Sequence, residues 1–442
     1  MTNIINILTY STLITAIYFL SIPKIAYKGN LIAFCAIFLS IIYNLTFLTP
    51  QKFLITIIII LLAILTSIFL TNKTTPKSLP QNVALLNGLG GLSSSLIGIT
   101  ELYHTNSTST FTLFIISLGF ITFFGSISSI TRLNDYTLPL SSKTIKTISL
   151  SFLSLTILNI FFYLKMPLTN LSTLFFLSSF FSFTFVLSIK KTDMSIIISI
   201  LNSLSGFITS LLGLITNSNL LLITGTIIGI SGFFLTFIMT KSMNRKLLSV
   251  LFSTSTHSPH HNKYHRQNIN LSSPKDIAFL LENAHKVIIV PGFGMAVSNA
   301  EDELKILSDI LKNKYNVDIK FAIHPIAGRM PGHLNILLAK ADIPLSQIYE
   351  LKDINHEFKN TDVALIVGAN DIINPLAQTD KNSPIYQMPI LEAQYAHKIV
   401  FAKRSLSPGY SGLDNPLFYE DKTLFLLGDA KETLKKLISE LE

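Results

Sequence analysis

The sequence predicts two architectures in series: a polytopic α-helical membrane bundle of about nine spans, then an α/β domain on a doubly wound parallel sheet. Three observations carry that prediction. The mean hydropathy of the 442-residue chain is +0.51, too apolar for an ordinary soluble protein. The apolar residues are segregated into long runs within 1–240, whereas 273–442 has a balanced globular composition. In that second part, short β-branched runs alternate with helix-compatible stretches. The polar stretch 241–272 between them reads as a cytoplasmic linker.

A spanning helix needs roughly 20 mostly apolar residues. Runs near 5–22, 30–49, 52–71, 82–103, 110–131, 147–164, 168–189, 194–216 and 219–240 meet that requirement. The N-terminus, MTNIINILTY, has no basic leader and no small-residue cleavage site, so it reads as a retained first span. Lys24, Lys28, Lys73, Lys77, Arg132, Lys143, Lys146, Lys190, Lys191, Lys241, Arg245 and Lys246 all fall in alternate loops. The opposite loops hold only Lys52 and Lys165. Positive residues stay inside, which places the N-terminus outside and the C-terminal domain in the cytoplasm. The net charge of +9 therefore reflects topology, not a nucleic-acid stripe. With Cys35 alone there is no intramolecular disulfide framework.

The spans differ. The first three and the fifth to seventh are Ile, Leu and Phe with scattered hydroxyls, suited to lipid or bulk packing. The fourth, eighth and ninth are rich in Gly and Ser, and Gly225 with Gly229 forms a GxxxG spacing. Small residues let backbones approach, so these three are expected at the centre of the bundle. Asn87 in the fourth span and Asn202 in the eighth lie about 8–12 Å in from the cytoplasmic starts of their helices. They suit a shared polar pathway; the plainer reading is an interhelical hydrogen bond that ties the bundle. Asp193, at the mouth of the eighth span, is the acid best placed between bundle and cytoplasmic domain, or simply a charge at a helix N-terminus. Glu101 and His104 read as interfacial.

In the linker, His257, His260, His261 and His265 have no Cys or carboxylate beside them and sit among Ser, Asn and Pro. A flexible tether suits them better than a metal site. Ser273 as N-cap and Pro274 at the first helical position then open the globular domain. Strands are expected at 287–290, 317–323, 348–351, 362–368, 389–392, 398–403 and 423–428, with helices near 296–314 and 430–441 among those between and after them. Such alternation implies a Rossmann-like sheet whose ligands sit at the carboxyl ends of the strands.

The loops at those ends carry the chemistry. VIIVPGFGMAV is a strand, then a tight turn at Gly292 and Gly294, then a helix start, an arrangement that aims backbone N–H groups at a pyrophosphate. The third glycine of the fingerprint is absent, with Val297 in its place, and glycine pairs after strands also serve as plain turns. An NAD site calls for an acid at the end of the second strand. That strand ends instead in His324, with Arg329 and His333 following. Lys403-Arg404-Ser405 after a later strand suits a dianionic phosphate, so charge favours NADP over NAD; ordinary surface cations are the other reading. Asp371 and Asn374 follow another strand, where a turn-forming Asx pair is the plain explanation. Gly409, Tyr410 and Gly412 suit a lid. Asp429 in GDAK is either part of a backbone contact or an N-cap.

Taken together, PGFGMAV, FAIHPIAGRMPGH, VGANDIINPLAQ, FAKRS, GYSG, NPLF and GDAK, in that order, resemble the NADP(H)-binding domain of proton-translocating nicotinamide nucleotide transhydrogenase. DMSIIISILNSLSG and IMTKSMNR extend the likeness to the membrane half, so nearly the whole chain resembles that family's β subunit. The resemblance implies direct hydride transfer from NADH on a partner α subunit to NADP+ bound here, coupled to proton translocation. It implies a dimer of α–β units in a bacterial inner membrane. It carries nucleotide contacts over to Gly292, Gly294, Met295, Ala296 and Val297, to Ala327, Gly328 and Arg329, and to Gly368, Asn370 and Asp371. Lys403, Arg404 and Ser405 would hold the 2′-phosphate, Gly409 and Tyr410 would belong to the lid, and Gly428, Asp429 and Ala430 would complete the set. Asp371, near the nicotinamide end, and His324 and Arg329, in a loop facing partner and membrane, are the catalytic and coupling candidates.

One departure stands out. The family usually carries a histidine at the position of Asn87, a favoured relay group, and asparagine cannot titrate. Either a partner helix supplies that group, or Asn87 and Asn202 order a water chain gated by Asp193. A membrane transporter with an NADP-sensing domain is the alternative from another function class.

Overall fold

The computed structural model describes residues 2–20, 26–74, 78–105, 110–134, 136, 139–162, 167–189, 193–242, 247–252, 269–325, 327, 332–381, 383, 385–409 and 411–442. Gly328, Arg329, Tyr410 and the four linker histidines lie outside the described residues.

Nine helices fill the described part of the N-terminal half: α1 (Thr2–Leu20), α2 (Ala26–Leu45), α3 (Pro50–Asn72), α4 (Leu79–Thr105), α5 (Thr110–Leu133), α6 (Ser142–Phe162), α7 (Pro167–Leu187), α8 (Met194–Ile215) and α9 (Asn219–Ser242). Seven are long and apolar enough to cross a membrane, while α1 and α7 offer the shorter apolar stretches Leu8–Phe19 and Leu171–Leu187.

The chain divides into two compact units. The first holds α1–α3 with Thr209–Thr226. There α1 packs on α2, and α3 has no buried residue. The turn between α8 and α9 is tight: a Cβ on Gly213 would fall 2.3 Å from the backbone nitrogen of Leu222.

In the second unit α5 is a buried helix, with Ile115, Ile116, Ser117, Thr122, Ser126, Ser128 and Ser129 all shielded. The α8 residues Ile196, Ile197, Leu201 and Ile208 are buried too, as expected of a central span. But the fifth span, expected to face lipid or bulk packing, is buried with them, and the ninth, expected at the centre, is largely exposed. The reason is visible in α5 itself, where Gly119 and Gly125 interrupt the Phe and Ile residues. A Cβ on Gly119 would sit 2.6 Å from the carbonyl oxygen of Gly91 in α4, and Ser95 Oγ donates to Ile116 O at 2.9 Å. By contrast α9 exposes Phe233, Phe234 and Phe237. The α8–α9 seam is as close as its sequence suggests: a Cβ on Gly206 would lie 2.3 Å from the nitrogen of Gly229, and Ser203 Oγ donates to Gly229 O at 2.7 Å.

The C-terminal domain follows α10 (Leu247–Phe252). Its helices are α11 (Pro274–Glu282), α12 (Phe293–Ser298), α13 (Glu301–Tyr315), α14 (His333–Lys340), α15 (Leu351–Ile354), α16 (Leu376–Thr379) and α17 (Ala430–Leu441). Its strands are β1 (Lys286–Pro291), β2 (Asp318–Ile323), β3 (Ile348–Glu350), β4 (Val363–Val367), β5 (Lys398–Lys403) and β6 (Thr423–Leu427). All pair in parallel in the order β3-β2-β1-β4-β5-β6, the Rossmann-like arrangement whose order reverses between β1 and β4. Burial explains the β-branched runs: Val287 to Val290 and Val363 to Val367 are shielded on both faces. Ser273 and Asp276 form a reciprocal capping box at α11, as the serine–proline start predicts.

Two expected elements differ. Residues 389–392 form no strand. Ile390 and Leu391 are apolar because they are buried, and their backbone bonds go to loops: Leu391 N–H to Ile372 O at 2.8 Å, and Asn355 Nδ2 to Ile390 O at 2.8 Å. The helix expected over 296–314 is two helices, α12 and α13, broken where Asn299 takes a left-handed backbone at φ 49°.

Candidate functional site

A cavity of about 490 Å³ opens at the carboxyl ends of β1, β4 and β5, at the point where the strand order reverses. Three segments form most of it, the turn after β1 into α12, the loop after β4 and the loop after β5, with Ala327 after β2 and Ala430 at the start of α17 completing the lining.

The first two meet backbone to backbone. Gly292 N–H donates to Val367 O at 2.8 Å and Gly294 N–H to Gly368 O at 2.9 Å. A Cβ on Gly292 would sit 2.3 Å from Gly368 O, and one on Gly368 would sit 2.5 Å from Gly294 Cα. Gly368 also holds φ +67°, the left-handed region that favours glycine. The glycines thus serve the contact between two turns, and Gly294 N–H faces the protein rather than a pyrophosphate. Met295 and Ala296 are buried behind the turn and do not line the cavity, while Val297 and Ser298 do.

After β4, three amides are polarised in series. Leu417 N–H donates to Asn415 Oδ1 at 3.1 Å, which turns Asn415 Nδ2 toward Asn370 Oδ1 at 3.2 Å. That leaves Asn370 Nδ2, a buried donor on a cavity-lining residue, with no hydrogen-bond partner among the described residues. A buried unpaired donor is costly unless something fills it, and a ligand in this cavity is the candidate. Asn374 makes the expected Asx turn, accepting from Leu376 N–H at 3.0 Å. Asp371 grips the loop after β5: Ser411 N–H and Oγ donate to its two carboxylate oxygens at 2.8 and 2.7 Å. A Cβ on Gly409 would lie 2.5 Å from Asp371 Oδ1.

After β5 come the cations. Lys403 Nζ sits 4.3 Å from the centre of the Phe418 ring and donates to Ser407 O at 3.2 Å. Burial pushes its ammonium down to about 8, against the raising pull of Asp371 and Asp414. Arg404 is held side-on by one oxygen of Asp429, from Nε at 3.1 Å and Nη2 at 2.5 Å. Burial pushes the Asp429 carboxyl up, but Arg404, Ser298 and the Lys431 N–H outweigh it and hold it below the usual range. Ser405 Oγ donates to Ser407 Oγ at 2.9 Å. A half-desolvated ammonium, a guanidinium and a hydroxyl share one cavity wall, a set suited to a dianionic oxyanion.

Of the residues expected from sequence, the cavity brings together Gly292, Gly294, Val297, Ala327, Gly368, Asn370, Asp371, Lys403, Arg404, Ser405, Gly409 and Ala430. Gly428 and Asp429 stand outside the lining, Asp429 acting on it through Arg404 and capping α17 through Lys431 N–H at 3.1 Å. His324 does not line it. The ring is 1% exposed, its Nε2 lies 2.6 Å from Pro389 O, and burial pushes its pKa down to about 4, so it is neutral at pH 7. Phe293, Ser298, Ala369, Ile372, Ala402, Ser407 and Pro408 also line the cavity and were not expected. Ser298 and Ser407 had a legible signal, being hydroxyls one residue beyond Val297 and two beyond Ser405.

In the membrane half, Asn87 is 9% exposed and donates through Nδ2 to Ile198 O of α8 at 3.3 Å, one turn before Asn202. Asp193 is fully buried at the start of α8.

A family model for the NAD(P) transhydrogenase beta subunit matches residues 2–440. The chain is 34% identical, over 448 residues, to the NAD(P) transhydrogenase subunit beta of Rhodospirillum rubrum, with 96% of each chain covered. The subunit of the same name from a specified strain of that species matches with the same identity and coverage.

Proposed function

The chain belongs to the NAD(P) transhydrogenase beta subunit family, and from that premise we propose that its C-terminal domain binds NADP(H) in the cavity at the switch point of the sheet. The observation that carries this reading is that Lys403, Arg404 and Ser405 line one cavity together with Asn370, whose buried Nδ2 has no partner among the described residues. The end of β2, where an NAD site keeps its acid, holds the neutral, buried His324 instead.

Because the cations follow β5, the 2′-phosphate end of the nucleotide lies over β5, on the far side of the switch point from β2. Its nicotinamide end then points toward Ala327 and Asp371. Arg404 and Lys403 bind the phosphate, Asn370 donates through Nδ2, and Asp371 holds Ser411, two residues beyond the cavity-lining Gly409. Bound NADP+ supplies the carbon that accepts hydride, so no protein nucleophile is needed. The donor is NADH on an α subunit, in a dimer of α–β units.

The helical half spans a bacterial inner membrane with the N-terminus outside, and proton movement through it is coupled to hydride transfer. Asn87 ties α4 to α8, and Asp193 with Asn202 is the polar pair available to a proton path. The family assignment does not favour a transporter with a merely sensing domain.

Vesicles carrying this chain with its α partner test the reading. NADH and NADP+ should produce NADPH together with proton uptake. Failure to form NADPH overturns the NADP(H) assignment, whereas NADPH formed without uptake overturns the coupling alone.

A further inference from the structure

The Arg404 guanidinium is bound along one edge only. Nε and Nη2 both meet Asp429 Oδ2, and Nη1 makes no hydrogen bond among the described residues. The same oxygen accepts from Ser298 Oγ at 3.1 Å, and that hydroxyl also reaches Gly294 O at 2.9 Å in the turn after β1. The other oxygen, Oδ1, caps α17 through Lys431 N–H. One carboxylate outside the cavity lining therefore fixes three things together: the start of α17, the end of α12, and the direction of the cation after β5.

We propose that Asp429 is a positioning residue that presets Arg404 as an end-on fork for the 2′-phosphate, with Ser298 locking that fork to the glycine turn. This rests on the NADP(H) reading above and gives Asp429 a role there without contact to the nucleotide. A guanidinium gripped side-on keeps its Nη1 edge available for oxyanion binding, and holding it in advance removes the entropic cost of ordering a long side chain on binding. A carboxylate this close to a phosphate site also repels the ligand, so the geometry predicts that preorganisation outweighs repulsion.

The test is a double-mutant cycle on the detergent-solubilised α–β enzyme: wild type, Asp429→Asn, Arg404→Ala, and both. Asparagine still caps a helix, which protects α17. The readouts are the dissociation constant of NADPH and that of adenosine 2′-monophosphate, a probe of the phosphate arm alone. Asp429→Asn should weaken both by the same factor, roughly tenfold, and should have no effect once Arg404 is alanine. Tighter NADPH binding in Asp429→Asn would show a repelling anion and overturn the proposal. An equal loss in the Arg404→Ala background would overturn it in favour of a cap alone. If adenosine 5′-monophosphate competes as well as the 2′-isomer in wild type, the phosphate-arm assignment itself falls, and that failure is visible without any variant.

Discussion

Asn87 and Asn370 show how the two halves of this chain treat polar groups. In the helical half, the Asn87 amide is engaged by the Ile198 carbonyl, and hydroxyls such as Ser95, Ser128 and Ser203 likewise donate to backbone carbonyls of neighbouring helices. With no water in a bilayer core, these four groups find partners within the protein, although Ser126 Oγ in α5 has none among the described residues, and the result is adhesion. In the C-terminal domain the Asn370 amide is oriented by Asn415, itself held by the Leu417 N–H, and its buried Nδ2 has no hydrogen-bond partner among the described residues. A donor polarised by its surroundings but unpaired marks where a ligand belongs. The same residue type therefore reads as glue in one half and as a site in the other.

The contrast can be broken most severely at the glycine contact. Gly368→Ala places a methyl 2.5 Å from Gly294 Cα at a positive φ. It should destabilise the C-terminal domain by about 3 kcal/mol or more and abolish NADPH binding, seen as loss of that domain's thermal transition in the full-length protein. An unchanged transition would mean that the two turns are free to separate.

Acid comes next. His324 has a folded pKa near 4, below its ordinary 6.5, so the unfolded chain takes up the proton first. Stability is fully present above pH 6.5 and is lost as the pH falls from 6.5 to 4, by roughly 3 kcal/mol at most. Denaturant midpoints across that range check it, and a flat profile would place His324 in water.

Smaller effects sharpen the comparison. Ser411→Ala removes one of the two hydrogen bonds that Ser411 donates to the Asp371 carboxylate, so NADPH dissociation should quicken about tenfold in stopped-flow fluorescence. An unaltered rate would separate Asp371 from any lid. Asn87→Ala removes an adhesive bond and should lower bundle stability by about 1 kcal/mol while leaving proton uptake per hydride unchanged. A fall in that ratio would place Asn87 in the proton path.

The fold was largely legible because hydropathy runs and alternating strands report burial directly. The centre of the bundle was not: Gly119 and Gly125 in α5 are masked by surrounding Phe and Ile when a span is judged by its average. Residues 389–392 misled for the same reason, since apolar burial without strand pairing looks like a strand. Site glycines and cations were legible in their loops. The grip of Asp429 on Arg404 was not, because it joins residues 25 apart through geometry that no local pattern encodes.

At Gly206 and Gly229 main chain lies against main chain, with the Ser203 hydroxyl bonded to Gly229 O beside it, and this has a mechanical consequence. Side chains between helices act as bearings: they change rotamer and let one element slide or roll on another. Where backbone lies against backbone there is nothing to re-seat. The α8 and α9 segments at that seam must then tilt as one lever, and any motion passed along them is transmitted without slip.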